Sequence, residues 1–183
     1  MLLESAELGH TFYLNYEEIS SMTAAIDAVR NSPLASELSP AEVQVLAGIL
    51  TIRELKDGEV LLPEGSRDRN LHVIVAGRVD VVQMSDKQGR RLLYRLEPGD
   101  LVGELSFMGD EPRYAALIAS GPTEVLVLAR SDFETLIERS PQVVYKVMRA
   151  IMLVAHRVQR RLSLQLREME RYIYQTGAKF AGD

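Results

Sequence analysis

The run Gly103-Glu104-Leu105-Ser106-Phe107-Met108-Gly109-Asp110-Glu111-Pro112-Arg113-Tyr114-Ala115-Ala116 gathers residue types that can do chemistry together. A glycine lets the main chain turn and lets a ligand approach it closely. Leu105 and Ser106 would open one helical turn, whose free N–H groups favour a negative charge. Arg113 offers a planar fork of donors matched to phosphate oxygens. Glu104, acceptor-only when ionised, can take hydrogen bonds from sugar hydroxyls. A Glu and an Arg nine positions apart, flanking a turn and a one-turn helix, complement a ribose that carries a cyclic phosphate. The same residues also describe a plain turn closed by a surface ion pair, and the segment alone does not choose.

Other chemistries lack their residues. His10, His72 and His156 are the only histidines and form neither H-x-H nor H-E-x-x-H. A metal enzyme on a small barrel needs clustered ligands, so no metal is expected. There is no G-x-S-x-G, and no serine has a placed histidine partner. The absence of cysteine removes disulfides and thiolate chemistry and fits a reducing compartment. The expectation is a chain that binds and does not catalyse.

With 46% of its 183 residues hydrophobic, the chain can bury a sizeable core. A net charge of −5 argues against a wholly basic nucleic-acid wrapper. The charge is uneven, however. Residues 141–173 hold Lys146, Arg149, Arg157, Arg160, Arg161, Arg167 and Arg171 against Glu168 and Glu170. Such a stretch is usually a solvated helix face and sometimes a docking surface for an acidic partner. The opening MLLESAELGHTFYLNYEE has acids where a signal peptide has a basic start, and no window reaches the ~18 apolar residues of a membrane helix. A cytoplasmic protein with no membrane association is expected.

The elements that must position the segment follow from periodicity. Ile19, Met22, Ala25, Ile26 and Val29 fall at helical steps over 16–30, and Asn31-Ser32-Pro33 ends that helix. Ser39, Pro40 and Glu42 make a capping box with an N1 proline, opening a helix to about Leu50. Short apolar runs then alternate with glycine turns: Ile49–Leu55, Glu59–Leu62, Leu71–Val75, Arg78–Gln83, Arg91–Leu96, Leu101–Val102, Tyr114–Ser120 and Thr123–Leu128. That rhythm predicts an antiparallel sandwich or closed barrel, not a Rossmann sheet. Ser131 is read as the cap of a helix to about Arg139, and Ser140-Pro141 as the start of a long one. Val144, Met148, Ile151, Ala155, Val158, Leu162, Leu166, Met169 and Ile173 recur along it every three or four residues.

The segment resembles the phosphate-binding cassette of the cyclic-nucleotide-binding domain, as in catabolite activators and protein kinase A regulatory subunits. That cassette reads roughly F-G-E-L-A-L followed by P-R-x-A. Gly103, Glu104, Leu105, Pro112, Arg113 and Ala115 match it with no gap. The resemblance extends to Gly58, Gly65, Gly77 and Gly99, to Gly77-Arg78-Val79 and Pro98-Gly99-Asp100, and to Pro141, covering about residues 33–165. It implies an eight-stranded antiparallel jelly-roll barrel at 33–140 and a lid and dimerisation helix, which with its tail occupies 141–183; the periodicity adds a helical extension at 1–32.

The resemblance further implies that Arg113 holds the cyclic phosphate and Glu104 the ribose 2′-hydroxyl. Leu105, Ser106 and the Tyr114 amide would line the phosphate, and Val81, Leu96 and Val102 would wall the sugar and base. The base would be covered from the last helix near Arg157, Val158 or Gln159. Ser106 stands where the family has a small Ala and could add a donor. Tyr114 stands where Ala, Ser or Thr is common, so its side chain must point away or narrow the site; the missing Thr or Ser leans towards cAMP over cGMP. Val102 replaces a frequent Phe or Ile. The expected function is a cyclic-nucleotide sensor that rearranges its helices, homodimerises through 141–173 and addresses an unknown protein partner. About ten residues follow the last helix, too few for a winged helix-turn-helix, so no DNA-binding domain is expected. A non-binding scaffold and a cyclic dinucleotide receptor are the alternatives.

Overall fold

Glycine turns decide how the strands are arranged. The computed structural model describes residues 16–85, 89–109 and 111–180. Eight strands follow in order: β1 (Leu50–Leu55), β2 (Val60–Leu62), β3 (Asn70–Ala76), β4 (Val79–Ser85), β5 (Gly89–Leu96), β6 (Leu101–Val102), β7 (Ala116–Ala119) and β8 (Thr123–Ala129). They form two antiparallel four-stranded sheets, ordered β1-β8-β3-β6 and β2-β7-β4-β5. The turns at Gly58, Gly77, Gly99 and Gly121, all at positive φ, carry the chain from one sheet to the other.

Of the sandwich and the closed barrel that the strand rhythm allowed, this is the sandwich, and the sheets of the expected jelly-roll barrel are not closed. Because those turns send successive strands to facing sheets, the strands stack across the core, and no ladder joins the two sheets. Gly77 shows how tight the crossing is. A Cβ there would sit 2.3 Å from the Pro122 carbonyl oxygen, at a φ of +80° that side chains avoid.

Between the sheets pack Leu55, Leu61, Ile74, Val79, Val81, Leu96, Leu117 and Val125. The outer face of the β1-β8-β3-β6 sheet is covered by helices: α1 (Tyr16–Asn31), a 3-10 turn (Pro33–Ala35), α2 (Pro40–Ala47), α4 (Arg130–Glu134), α5 (Leu136–Arg139) and the start of α6 (Pro141–Phe180). Leu71 and Val73 of β3 point to that helical layer, whereas Ile74 points between the sheets, as pleating requires. Val29, Leu34, Leu46, Leu126, Leu128, Val147 and Ile151 belong to the same layer, so α1 shares its core with α2 and α6.

The α2 capping box forms as read. Ser39 Oγ accepts from the Glu42 amide at 3.4 Å, and the Ser39 amide donates to Glu42 Oε2 at 2.7 Å. The helix ends at Ala47, short of Leu50, because Leu50 is already paired with Leu128 in the β1–β8 ladder. The helix expected over 131–139 is two short ones with Thr135 between them, and Ala129, not Ser131, precedes the first. No helix of the described residues is long and apolar enough to cross a membrane.

Helix α6 is fastened at its start. Val143, Val147, Ala150, Ile151 and Val154 are buried against the body. Lys146 Nζ donates to both carboxylate oxygens of Glu42, at 2.8 and 2.7 Å, and Arg149 pairs with Glu37 at 2.8 Å. Lys146 and the Ser39 groups together hold the Glu42 carboxyl down from its ordinary 4.5 to about 2. A depressed carboxylate contributes stability that is complete above its unfolded value and disappears as pH falls through the folded one. The urea midpoints of the native chain and Glu42→Gln are therefore expected to differ at pH 7, with the gap closing between pH 4.5 and about 2; a gap that stays constant across that window refutes the pairing as its source.

Candidate functional site

Gly103 sets the geometry. At φ +103° it turns the chain out of β6 into α3 (Glu104–Met108), and a Cβ there would lie 2.6 Å from the Asn70 carbonyl oxygen and 2.7 Å from Arg113 Nη2. Only a residue without a side chain lets the guanidinium rest against this turn. Phe107, buried in α3, packs against Phe133 of α4 with ring centroids 5.5 Å apart, anchoring the one-turn helix to the helical layer. The Ser106 hydroxyl is engaged at 2.9 Å by the Glu111 carbonyl. The extra donor expected of it is spent on closing the loop that leads to Arg113.

Arg113 is clasped by the β2–β3 loop. Its amide donates to the Ser66 carbonyl at 3.0 Å, and its carbonyl accepts from the Gly65 amide at 2.8 Å. Its Nη2 reaches the Asn70 and Asp68 carbonyls at 3.3 and 3.5 Å, and its buried Nε has no hydrogen-bond partner. Among the described residues, no carboxylate lies within ion-pair distance of Arg113, so the turn is not closed by an Arg113–Glu104 pair. Burial pushes the guanidinium below its ordinary value, which the negative potentials of Asp68 and Glu104 partly offset. The result is a half-buried cation held mainly by carbonyl dipoles.

Beneath it lies a pair the sequence did not reveal. His72 of β3 is buried, with Nε2 3.5 Å from Asp68 Oδ2 and Nδ1 unpartnered. Burial first, then Arg113 and Arg53, lower the His72 value to about 3, so the imidazole is neutral at pH 7. Burial raises the Asp68 carboxyl.

All nine expected site residues line one cavity of about 340 Å³: Val81, Leu96, Val102, Gly103, Glu104, Leu105, Ser106, Arg113 and Tyr114. Strand register explains the wall: Val79 faces Leu96 and Val81 faces Tyr94 across the β4–β5 ladder, so Val81 and Tyr94 share a face. Tyr94, which the sequence did not single out, bonds through its hydroxyl to that of Tyr114. Tyr114 is exposed and lines the cavity, so it narrows the site instead of pointing away. Burial and the Tyr114 bond raise the Tyr94 phenol. A run of alternating residues gives no sign of this pairing, since a bulge between Val81 and Val82 shifts the register.

One further wall is α6, through Ala155, Val158, Gln159 and Leu162. Val158 and Gln159 thus reach the cavity, and Arg157 does not. At this level the helix is tied to the sheets by Arg161, whose Nη2 donates to Asp100 Oδ2 at 2.9 Å. Asp100 is buried in the turn before β6 and also accepts from the Glu97 amide at 3.0 Å. No metal-binding cluster of three or more His, Asp or Glu occurs among the described residues.

Comparison with known proteins agrees with this geometry. Residues 52–140 match the family model of the cyclic nucleotide-binding domain. The chain is 30% identical over 142 residues to the cyclic AMP receptor protein of Thermus thermophilus, covering 78% of this chain and 61% of that relative. It is 32% identical over 106 residues to the cAMP-dependent protein kinase regulatory subunit of Blastocladiella emersonii, covering 57% of this chain and 26% of the relative. It spans less than two thirds of the length of either. In fold it is similar to a cyclic nucleotide-binding domain from Methylobacillus flagellatus, with a TM-score of 0.63 and 22% identity over 93% of this chain and 97% of that one. Over residues 52–140, the chain carries a domain of the cyclic nucleotide-binding family.

Proposed function

We propose that the cavity binds one cyclic nucleotide, cAMP in particular, and that the protein is a regulator which reports occupancy through α6. The observation that supports this most is Arg113: a half-buried cation that faces a cavity and has no carboxylate partner among the described residues. A cyclic phosphate supplies the missing charge, and charge-assisted bonds to a guanidinium are among the stronger ones available. Glu104, at the start of α3, accepts from the ribose hydroxyl, while the amides of Leu105, Ser106 and Tyr114 face the phosphate. Val81, Leu96 and Val102 hold sugar and base, and Val158, Gln159 and Leu162 cover the base. A cavity of about 340 Å³ is at the small end of ligand sites and suits one mononucleotide better than a dinucleotide. The names of the two relatives favour cAMP.

In this reading residues 33–140 form the binding module, 1–32 an extension and 141–183 the lid. Ligand shifts α6 between populations by binding better where the lid is docked. The helix is also suited to pair with a second copy. Tyr145, Met148, Met152, Ala155, Gln159, Leu162, Leu166 and Met169 alternate by three and four, and Tyr145, Met152, Leu166 and Met169 are each more than 60% exposed.

Calorimetric titration with cAMP, cGMP and a cyclic dinucleotide tests the assignment. Arg113→Ala is expected to lose roughly 2–5 kcal/mol of cAMP binding, as for one partner of a buried charged pair; undiminished affinity would remove the phosphate assignment. Gly103→Ala keeps every proposed contact group yet displaces the guanidinium, and about a tenfold weakening is expected. In sedimentation the native chain is expected at twice 20.5 kDa and the Leu166→Lys, Met169→Lys double variant at 20.5 kDa. Equal masses for the two would exclude the pairing seam.

A further inference from the structure

The cations of α6 between residues 141 and 172 fall into two sets. Lys146, Arg149 and Arg161 each meet a carboxylate of the body. Arg157, Arg160, Arg167 and Arg171 are exposed and form no ion pair among the described residues. These four are not scattered. With Leu153 and Leu164, each 51% exposed, they occupy positions 153, 157, 160, 164, 167 and 171, alternating steps of four and three. At about 100° per residue the six fall within an arc of about 80°, along about 27 Å of helix. The arc lies roughly opposite Ala155, Val158, Gln159 and Leu162, which face the cavity.

We propose that this face is a docking seam for an acidic amphipathic helix of another protein. The four-three alternation is the spacing at which one helix meets another along its length. The order Leu-Arg-Arg-Leu-Arg-Arg calls for a partner with apolar residues at two levels and carboxylates between them. Such a helix satisfies the cations and covers both leucines. A phosphate backbone offers Leu153 and Leu164 nothing, and two leucines are too few to seat a helix in a lipid surface. The body also discriminates. The chain is net −5 although residues 141–173 are strongly basic, so the remainder is acidic and repels an extended polyanion while a short acidic helix can keep to the rod. The seam stays open if α6 pairs with a second copy, since it lies on the side away from that stripe.

The test uses the full chain and fluorescence anisotropy with two labelled peptides of about three heptads. One carries Leu and Glu at the complementary seam positions; the other has the same composition scrambled. The patterned peptide is expected to bind at least about tenfold tighter, and Arg160→Glu with Arg167→Glu to lose that preference. Both substitutions lie outside the cavity, so cAMP titration and far-UV helicity should be unchanged. Leu164→Ser, which alters no charge, is expected to weaken the patterned peptide several-fold and serves if charge reversal disturbs the helix. Equal binding of the two peptides, or tighter binding of a short DNA duplex or phosphatidylserine vesicles than of the patterned peptide, overturns the proposal.

Discussion

The energetics of this molecule turn on the Arg113 guanidinium. Leaving a fully buried charge without a partner costs several kcal/mol, and half-burial reduces that cost without removing it. What the protein offers in return is modest: two carbonyl contacts at 3.3 and 3.5 Å, both at the long end of hydrogen bonding, and an Nε with nothing to donate to. Much of the surrounding structure keeps the side chain there despite this. Gly103 gives it room, the Ser66 and Gly65 main chain clasps its backbone, and Phe107 fixes α3 against α4. A cation maintained against its own desolvation is a standing demand for an anion, and the cavity beside it is where the anion can go.

The second constraint is how α6 is attached. Its first turns are held by buried side chains and by Glu42 and Glu37, whereas beyond Val154 the contacts thin to the partly buried Ala155, Val158 and Leu162. Arg161–Asp100 is the polar tie at that level, and Asp100 sits three residues before Gly103. Only the two residues of β6, Leu101 and Val102, separate the turn that ties the helix from the turn at Gly103.

Much of this was legible in the residues. The eight strands could be placed because each is bounded by a turn residue with a conformational reason to be there, and the segment that lines the cavity because Gly103, Glu104 and Arg113 stand out by residue type. Sandwich and closed barrel could not be told apart for a related reason: a glycine turn announces a reversal but not whether the next strand pairs or crosses to the facing sheet. Other misses were tertiary. Nothing in the spacing tells that Tyr94 meets Tyr114, that the Ser106 hydroxyl is consumed by Glu111, or that His72 is buried over Asp68. These depend on register, a bulge and loop closure. The long helix was read as one apolar stripe, but burial divides it: Val143, Val147, Ala150, Ile151 and Val154 pack on the body, and Tyr145, Met152, Leu166 and Met169 do not.

That division bears on how occupancy could be transmitted. Ala155, Gln159 and Leu162 belong both to the cavity wall and to the stripe suited to self-pairing. A side chain cannot give its whole surface to both, so in the proposed assembly a ligand that draws these residues inward changes what they present to the second helix. Linkage makes the effect reciprocal: whatever free energy the ligand adds to or removes from helix pairing, pairing returns to ligand affinity. Gln159 is the sharpest instance. A polar residue at a seam position costs stability unless its amide is satisfied, and a nucleotide base has the donors and acceptors to satisfy it. In the proposed assembly the same residue would face both the base and the second helix, with no further relay between them.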